Sequence, residues 1–299
     1  MLDAILTAGI LAATLRIATP LILASLGGAL CLKAGVFNIA LEGLMLTGAF
    51  LAVVLSGSIE SAFGVMALTV LLTSLVALAY GFVTITLRAD QIIAGLGLNI
   101  VVLGLTSWVL RSVLRAPGGF LERQAQGLPA FEIAALREVP LLGAIFTGHN
   151  ALTYGAWCLA AWVYLFVHHS PYGLRLRATG EHSEAATAAG IRTAVWQYAA
   201  VVLSGVLCGL AGMAVSLSHL GIFSEGMTAG RGFIAFAAAA FARGNIPGTF
   251  GAALLFAFFG SLAIRLEGVG LPTHFVQMIP YLVTLGALIL ASRRRAAQV

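Results

Sequence analysis

The chain has 299 residues, of which 60% are hydrophobic and only 9% are charged, and its mean hydropathy is +1.02. Soluble domains carry about 25% charged residues, so this composition excludes a soluble protein and predicts an all-α, polytopic membrane protein. The formal net charge of +5 is basic. In a membrane protein, basic residues first report topology, so this charge does not predict nucleic-acid binding.

About 20 apolar residues are needed to cross the hydrocarbon core as a helix. Residues 1–299 are therefore predicted to form one transmembrane domain with nine spans, the seventh of which is short enough to be a half-span or a re-entrant helix. The predicted spans are 4–30, 39–56, 61–87, 92–113, 151–168, 194–219, 230–242, 249–266 and 275–291.

Basic residues predict the orientation of these spans. The three arginines at 293–295 place the C-terminus in the cytoplasm, and counting back places the interval 170–192, Arg88 and Lys33 on the same side. Nine crossings leave the N-terminus outside. The long interval 114–150 carries both signs of charge and is predicted to be an extracytoplasmic loop. The expected location is the inner or plasma membrane.

The polar interval 170–192 is predicted to be a cytoplasmic loop that contains a short helix. Ser183 is a suitable N-cap, the Glu184 carboxylate suits the positive end of the helix, and Gly190 can end the helix after two turns. One face is nearly free of side chains, at Ala185, Ala186, Ala189 and Gly190. The basic residues around it are Arg175, Arg177 and Arg192. Such a helix can lie close to a groove on another protein.

Four polar residues in the spans or directly beside them are candidates for the lining of a translocation path. Asn38 and Glu42 are four residues apart and share a helix face, and an ionisable group in a span is a functional candidate by default. The favoured alternative for Glu42 is structural pairing with Lys33 or with an arginine of the cytoplasmic loop. Arg16 requires a partner or a polar cavity, and Asn99 can bond either a solute or another helix.

The chain shows no pattern that predicts catalysis or metal binding. No Ser, His, Asp or Cys arrangement suggests a nucleophile and base, and no GxxxxGK[ST] phosphate loop occurs. Cys31, Cys158 and Cys208 lack metal-ligand spacing and are expected to pack as small hydrophobic residues. We therefore predict that the chain is not an enzyme and binds no metal or cofactor.

Four segments together resemble the permease subunits of ABC importers of the branched-chain amino acid/simple-sugar type, and most closely the smaller permease of nucleoside and sugar uptake systems. The segments are LRIATPLILASLGGALCLKAGVFNIALEGLMLTGAF (15–50), DQIIAGLGLNI (90–100), YGLRLRATGEHSEAATAAGI (172–191) and RGFIAFAAAAFARGNIPGTFGAALLF (231–256). Glu184-Ala185-Ala186 followed by Gly190 also resembles the EAAxxxG pattern of the family's cytoplasmic coupling loop.

This resemblance implies a second, related permease subunit, cytoplasmic ATPases that hold the ATP and magnesium, and an extracytoplasmic solute-binding protein. It implies that the loop helix, with Arg175 and Arg177 beside it, is the contact to the ATPase, and that the solute is a nucleoside or a simple sugar. The alternative is a secondary transporter driven by H⁺ or Na⁺ through Glu42. A pair of broken helices in the two halves of the chain would support that alternative.

Overall fold

A computed structural model describes residues 8–121, 130–131, 146–218 and 221–267. Helices dominate these residues. The helices are α1 (Ala8–Lys33), α2 (Leu41–Ser56), α3 (Ala62–Gly81, continued by a π-helical turn at Phe82–Thr86), α4 (Gln91–Ser112), α5 (Ala151–His169), α6 (Pro171–Glu181), α7 (Ser183–Ala188), α8 (Thr193–Leu217), α9 (Arg231–Phe241) and α10 (Ile246–Glu267). The strands are β1 (Gly119–Leu121), β2 (Ala130–Phe131), β3 (His149–Asn150) and β4 (Ile222–Ser224).

Six of the described helices are long and apolar enough to cross a membrane, namely α1, α3, α4, α5, α8 and α10. The polytopic helical architecture is therefore confirmed. The predicted spans 39–56 and 230–242 correspond to the shorter helices α2 and α9. The predicted span 275–291 and the arginines at 293–295 lie outside the described residues, so the count of nine and the sides of the two termini stay predictions.

Helices α1 and α8 form the buried centre of the fold. In each of them 78% of the most apolar stretch is buried, against 17% in α4. Glycines explain the close packing, because a Cβ at Gly48 would lie 2.7 Å from the carbonyl oxygen of Gly209, and one at Gly212 would overlap the carbonyl oxygen of Met45. Backbones of α2 and α8 therefore touch, as small residues allow in membrane proteins.

This contact predicts opposite effects for two glycine-to-alanine changes. Gly212→Ala is expected to lower the free energy of unfolding by about 2 kcal/mol, because α2 and α8 must move apart. Gly251→Ala, in α10, has no atom within 4 Å of the new Cβ and is expected to stabilise the protein by up to about 1 kcal/mol through helix propensity. Melting temperatures in detergent measure both, and a similar shift for the two variants would contradict the packing described.

Helix α2 begins well inside the bundle. Near the start of α4, Phe37 donates its backbone N–H to Gln91 Oε1 at 2.6 Å, whereas Gly43 donates to Asn99 Oδ1 at 2.8 Å. Asn99 lies about 12 Å further along α4 at 1.5 Å per residue. The segment from Phe37 to Gly43, which includes the start of α2 at Leu41, thus rises about two helical turns along α4.

Helix α9 is the second short helix that begins inside the bundle. It has 11 residues, about 16 Å of helix, and Gly244 just beyond its C-terminus contacts Ala29 and Lys33 at the end of α1. Its N-terminus therefore lies deep in the bundle, against the N-terminus of α2. Helices α2 and α9 are therefore two short apolar helices whose N-termini meet inside the bundle.

Two small antiparallel ladders connect the ends of the helices. Gly119–Leu121 pairs with Ile222–Ser224, and Ala130–Phe131 pairs with His149–Asn150. The first ladder ties the end of α4 to the segment that leads into α9. The predicted loop 114–150 is described only at 114–121, 130–131 and 146–150, and its extracytoplasmic side stays a prediction.

Candidate translocation cavity and coupling surface

The predicted coupling loop contains two helices, α6 and α7, where the sequence predicted one. Helix α6 was missed, although Ser170-Pro171 carries its signal: Ser170 Oγ accepts the N–H of Gly173 at 2.9 Å, and Pro171 occupies the first turn, where its missing N–H costs nothing. Leu176 is fully buried, and a Cβ at Gly180 would overlap the carbonyl oxygen of Lys33. Helix α6 is therefore packed against the end of α1.

Helix α7 ends as predicted and begins one residue earlier than predicted. Gly190 has φ +83°, its N–H bonds the Thr187 carbonyl at 2.9 Å, and the Ile191 N–H bonds the Ala186 carbonyl at 3.0 Å. These two bonds are those of a Schellman motif, so the prediction that Gly190 ends the helix is confirmed. The N-cap prediction for Ser183 is wrong, because Ser183 is the first helical residue and His182 occupies the cap position without a side-chain bond.

The exposed face of α7 differs in one residue from the predicted face. Ala186 is only 5% exposed and points into the protein, whereas Glu184, Ala185 and Gly190 are exposed. No atom lies within 4 Å of a Cβ built at Gly190. The helix thus presents an open, nearly flat surface. Arg175 and Arg177 both lie in α6.

Arg175 is exposed on α6, while Arg177 is half-buried, and its Nε is buried without a hydrogen-bond partner among the described residues. The two arginines therefore differ in how far their side chains are exposed. Only Arg175 among them is fully available on the surface of α6.

Glu42 connects the N-termini of α2 and α9. Its Oε1 accepts the Thr228 hydroxyl at 2.6 Å and the Gly230 N–H at 2.9 Å, and its Oε2 accepts the Gly232 N–H at 2.6 Å. A carboxylate is favourable at this place, because both helices direct the positive ends of their dipoles toward it. These partners differ from Lys33 and the coupling-loop arginines, which were the partners that the sequence suggested.

Asn38 and Asn99 also bond to the protein itself. Asn38 is 1% exposed; its Nδ2 donates to Ser204 Oγ at 3.2 Å and its Oδ1 accepts the Ala40 N–H at 3.0 Å. Asn99 accepts from Gly43 and donates to the Ile39 carbonyl at 3.1 Å. Both amides hold the non-helical segment before α2 in place, and their predicted contact with a solute stays a prediction.

A cavity of about 580 Å³ lies among α1, α5, α8 and the start of α9. It is lined by Ala13, Arg16, Ile17, Pro20, Gly148, Asn150, Thr153, Ala214, Val215, Ser218 and Arg231. On the predicted topology these residues lie toward the outside. Of the four path candidates, the structure places Arg16 in the wall of this cavity, while Asn38, Glu42 and Asn99 do not line it.

The other polar lining residues were not among the predicted path candidates. Asn150, Thr153 and Ser218 lie at helix ends, where a sequence pattern does not separate boundary residues from cavity residues. The sequence did contain a signal for Arg231, because a charged residue at the start of a short apolar helix is costly unless its side chain reaches a polar space.

An ion pair lies at the outer end of α4 on the predicted topology. The Arg111 guanidinium donates to both carboxylate oxygens of Glu225, at 3.1 and 3.0 Å. These bonds hold the pKa of the Glu225 carboxyl below its usual range. Glu225 belongs to the segment that leads from β4 to α9, so the pair strengthens the tie made by the β1–β4 ladder.

The comparison with protein families decides which class of protein carries this geometry. A family model described as a branched-chain amino acid transport system permease component matches residues 10–288. The chain belongs to this permease family. Together with the six candidate spans, the membership makes it a multi-pass protein of the plasma membrane, and the alternative of a secondary transporter is not favoured.

Curated members of the family extend the similarity over most of the chain. The nucleoside ABC transporter permease protein NupC of Lactococcus lactis is 35% identical, over 92% of this chain and 90% of its own length. The guanosine ABC transporter permease protein NupQ of Bacillus subtilis is 34% identical, over 93% and 90%. The putative glucose ABC transporter permease protein TsgC13 of Haloferax volcanii is 32% identical, over 88% and 79%.

A second guanosine permease of Bacillus subtilis, NupP, also matches, at 27% identity over 91% of this chain and 79% of its own length. One organism thus has two permeases that resemble this chain. No solved structure matches the chain.

Proposed function

We propose that this chain is one of two related permease subunits of an ABC importer and forms part of the path of a nucleoside or a simple-sugar-like solute. The observation that carries the proposal is the cavity of about 580 Å³, which has the size of a small-molecule site and a wall of five polar and six apolar or glycine residues. Its two arginines and three uncharged polar side chains can hydrogen-bond a polar solute, and the apolar part of the wall can pack against a ring. The permeases NupC, NupQ and TsgC13 support this solute class.

The partners follow from the same proposal. ATP is bound and hydrolysed on separate cytoplasmic ATPases, so this chain carries no catalytic site, metal or cofactor of its own. The exposed face of α7, with Glu184, Ala185 and Gly190, is the contact to one ATPase. A second permease completes the membrane part, as the occurrence of NupQ and NupP in one organism supports, and an extracytoplasmic binding protein delivers the solute.

Uptake by the reconstituted complex tests this function. The chain, the second permease, the ATPase and the binding protein are placed in vesicles, and labelled nucleosides, ribose and branched-chain amino acids are offered with ATP. Uptake of a nucleoside or of ribose that requires ATP is the expected result. Uptake driven by an ion gradient in the absence of ATP would overturn the proposal in favour of the secondary transporter, and uptake confined to branched-chain amino acids would overturn the solute class.

A further inference from the structure

The acceptor groups in the wall of the cavity are mostly occupied by other groups of the wall. Asn150 Oδ1 accepts both the N–H and the hydroxyl of Thr153, at 3.0 and 2.9 Å. Thr153 Oγ1 in turn accepts the Thr19 hydroxyl at 3.0 Å. Ser218 Oγ donates to the Ala214 carbonyl and accepts from Asn150 Nδ2. An amide oxygen has two lone pairs, so Asn150 has none left for a solute, and each hydroxyl has one.

The donors in the same wall are largely free. Arg16 is exposed, and its guanidinium has no hydrogen-bond partner among the described residues. Arg231 uses Nη1 for the Met227 carbonyl at 3.1 Å, which orients the side chain, and its other N–H groups have no hydrogen-bond partner among the described residues. Within the described part of the chain, no Asp or Glu lines the cavity. The wall therefore offers many donors, two positive charges and few acceptors.

We propose that Arg16 and Arg231 make this cavity selective for 6-oxopurine nucleosides, such as inosine and guanosine, over their 6-amino counterparts. This inference rests on the proposed function and names the substrate class for that site. A guanidinium is a planar fork of donors that matches two adjacent acceptors, and the O6 and N7 atoms of a 6-oxopurine are such a pair. Adenosine presents an amino donor in place of O6, so a guanidinium N–H would face another N–H.

The selectivity is measured with matched substrates in the reconstituted complex. Inosine is expected to be taken up about tenfold more efficiently than adenosine, and 7-deazainosine, which lacks the N7 acceptor, is expected to lose most of this advantage. Arg16→Lys and Arg231→Lys keep the charge and remove the planar fork, so each is expected to lower the inosine-to-adenosine ratio several-fold. Arg115→Lys, on the exposed segment after α4, is the control and is expected to leave the ratio unchanged.

The outcomes separate this inference from the proposed function. The same binding protein is used throughout, so a change of the ratio in a variant reports the permease and not the delivery of solute. An unchanged ratio in both cavity variants would overturn the inference while nucleoside uptake still supports the function. Stronger competition by inosine 5′-monophosphate than by inosine would also overturn it, because the two charges would then mark an anion site. Absence of all nucleoside uptake in the wild type would instead count against the function.

Discussion

Replacing Ala185 with tryptophan is expected to reduce the recovery of the ATPase with the permease complex by at least about tenfold, a loss of about 1.4 kcal/mol in binding. Ala185 is exposed on α7, and this helix presents so little side chain that a groove on the ATPase can approach its backbone. An indole would hold the two surfaces apart. Ala185 lies within the helix, so the change introduces no backbone strain of the kind expected at Gly190, where φ is +83°.

The control for this experiment is Ala62→Trp, which places the same side chain at an exposed position at the start of α3. On the predicted topology this position lies on the other side of the membrane. Both variants are purified with an affinity tag on the permease, and the bound ATPase is quantified. Glu184→Lys is expected to act in the same direction as Ala185→Trp. Equal recovery of the ATPase with Ala185→Trp and Ala62→Trp would show that α7 is not the contact to the ATPase.

Replacing Glu42 with alanine is expected to lower the free energy of unfolding by about 3 kcal/mol or more. The change leaves the N–H groups of Gly230 and Gly232 and the hydroxyl of Thr228 without their acceptor, and each unsatisfied group costs about 1–3 kcal/mol. It also removes the negative charge that lies between two helix N-termini. The melting temperature of the purified protein measures the loss.

Two further variants show whether the loss comes from this network. Thr228→Val removes a single donor and is expected to cost about 1 kcal/mol. Glu60→Ala removes an exposed carboxylate between α2 and α3 and is expected to change stability by less than about 0.5 kcal/mol. If Glu42→Ala melted at the same temperature as Glu60→Ala, the carboxylate would not join α2 to α9.

The spans were predictable from the sequence because each is a local run of apolar residues, and the limits of α4 and α8 fall within two residues of the prediction. The end of α7 at Gly190 was predictable for a similar reason, since it depends on one glycine and its neighbours. The contacts of Glu42 were not predictable in this way. Its partners lie about 190 residues further along the chain, and no periodicity links positions so far apart.

The polar candidates show the same limit. Asn38, Asn99 and Arg16 were equivalent in the sequence, since each is a polar side chain within an apolar run. The structure separates them by what lies opposite: Ser204 for Asn38, the start of α2 for Asn99, and an open cavity for Arg16. A polar side chain can be expected to find a partner, but only the packing of distant helices determines whether that partner is protein or open space.

Helix α1 reaches from α6, which precedes the proposed ATPase contact on α7, to the cavity. Its last residue, Lys33, is in contact with Gly180 of α6, and Arg16 lies about 26 Å away along the same helix. We expect a displacement of α6 by the proposed ATPase to be transmitted along α1 to the cavity. Pro20, in the cavity wall, lacks the N–H that would bond the Arg16 carbonyl, so α1 can bend at this point and a small tilt of the segment before Pro20 would move Arg16 directly.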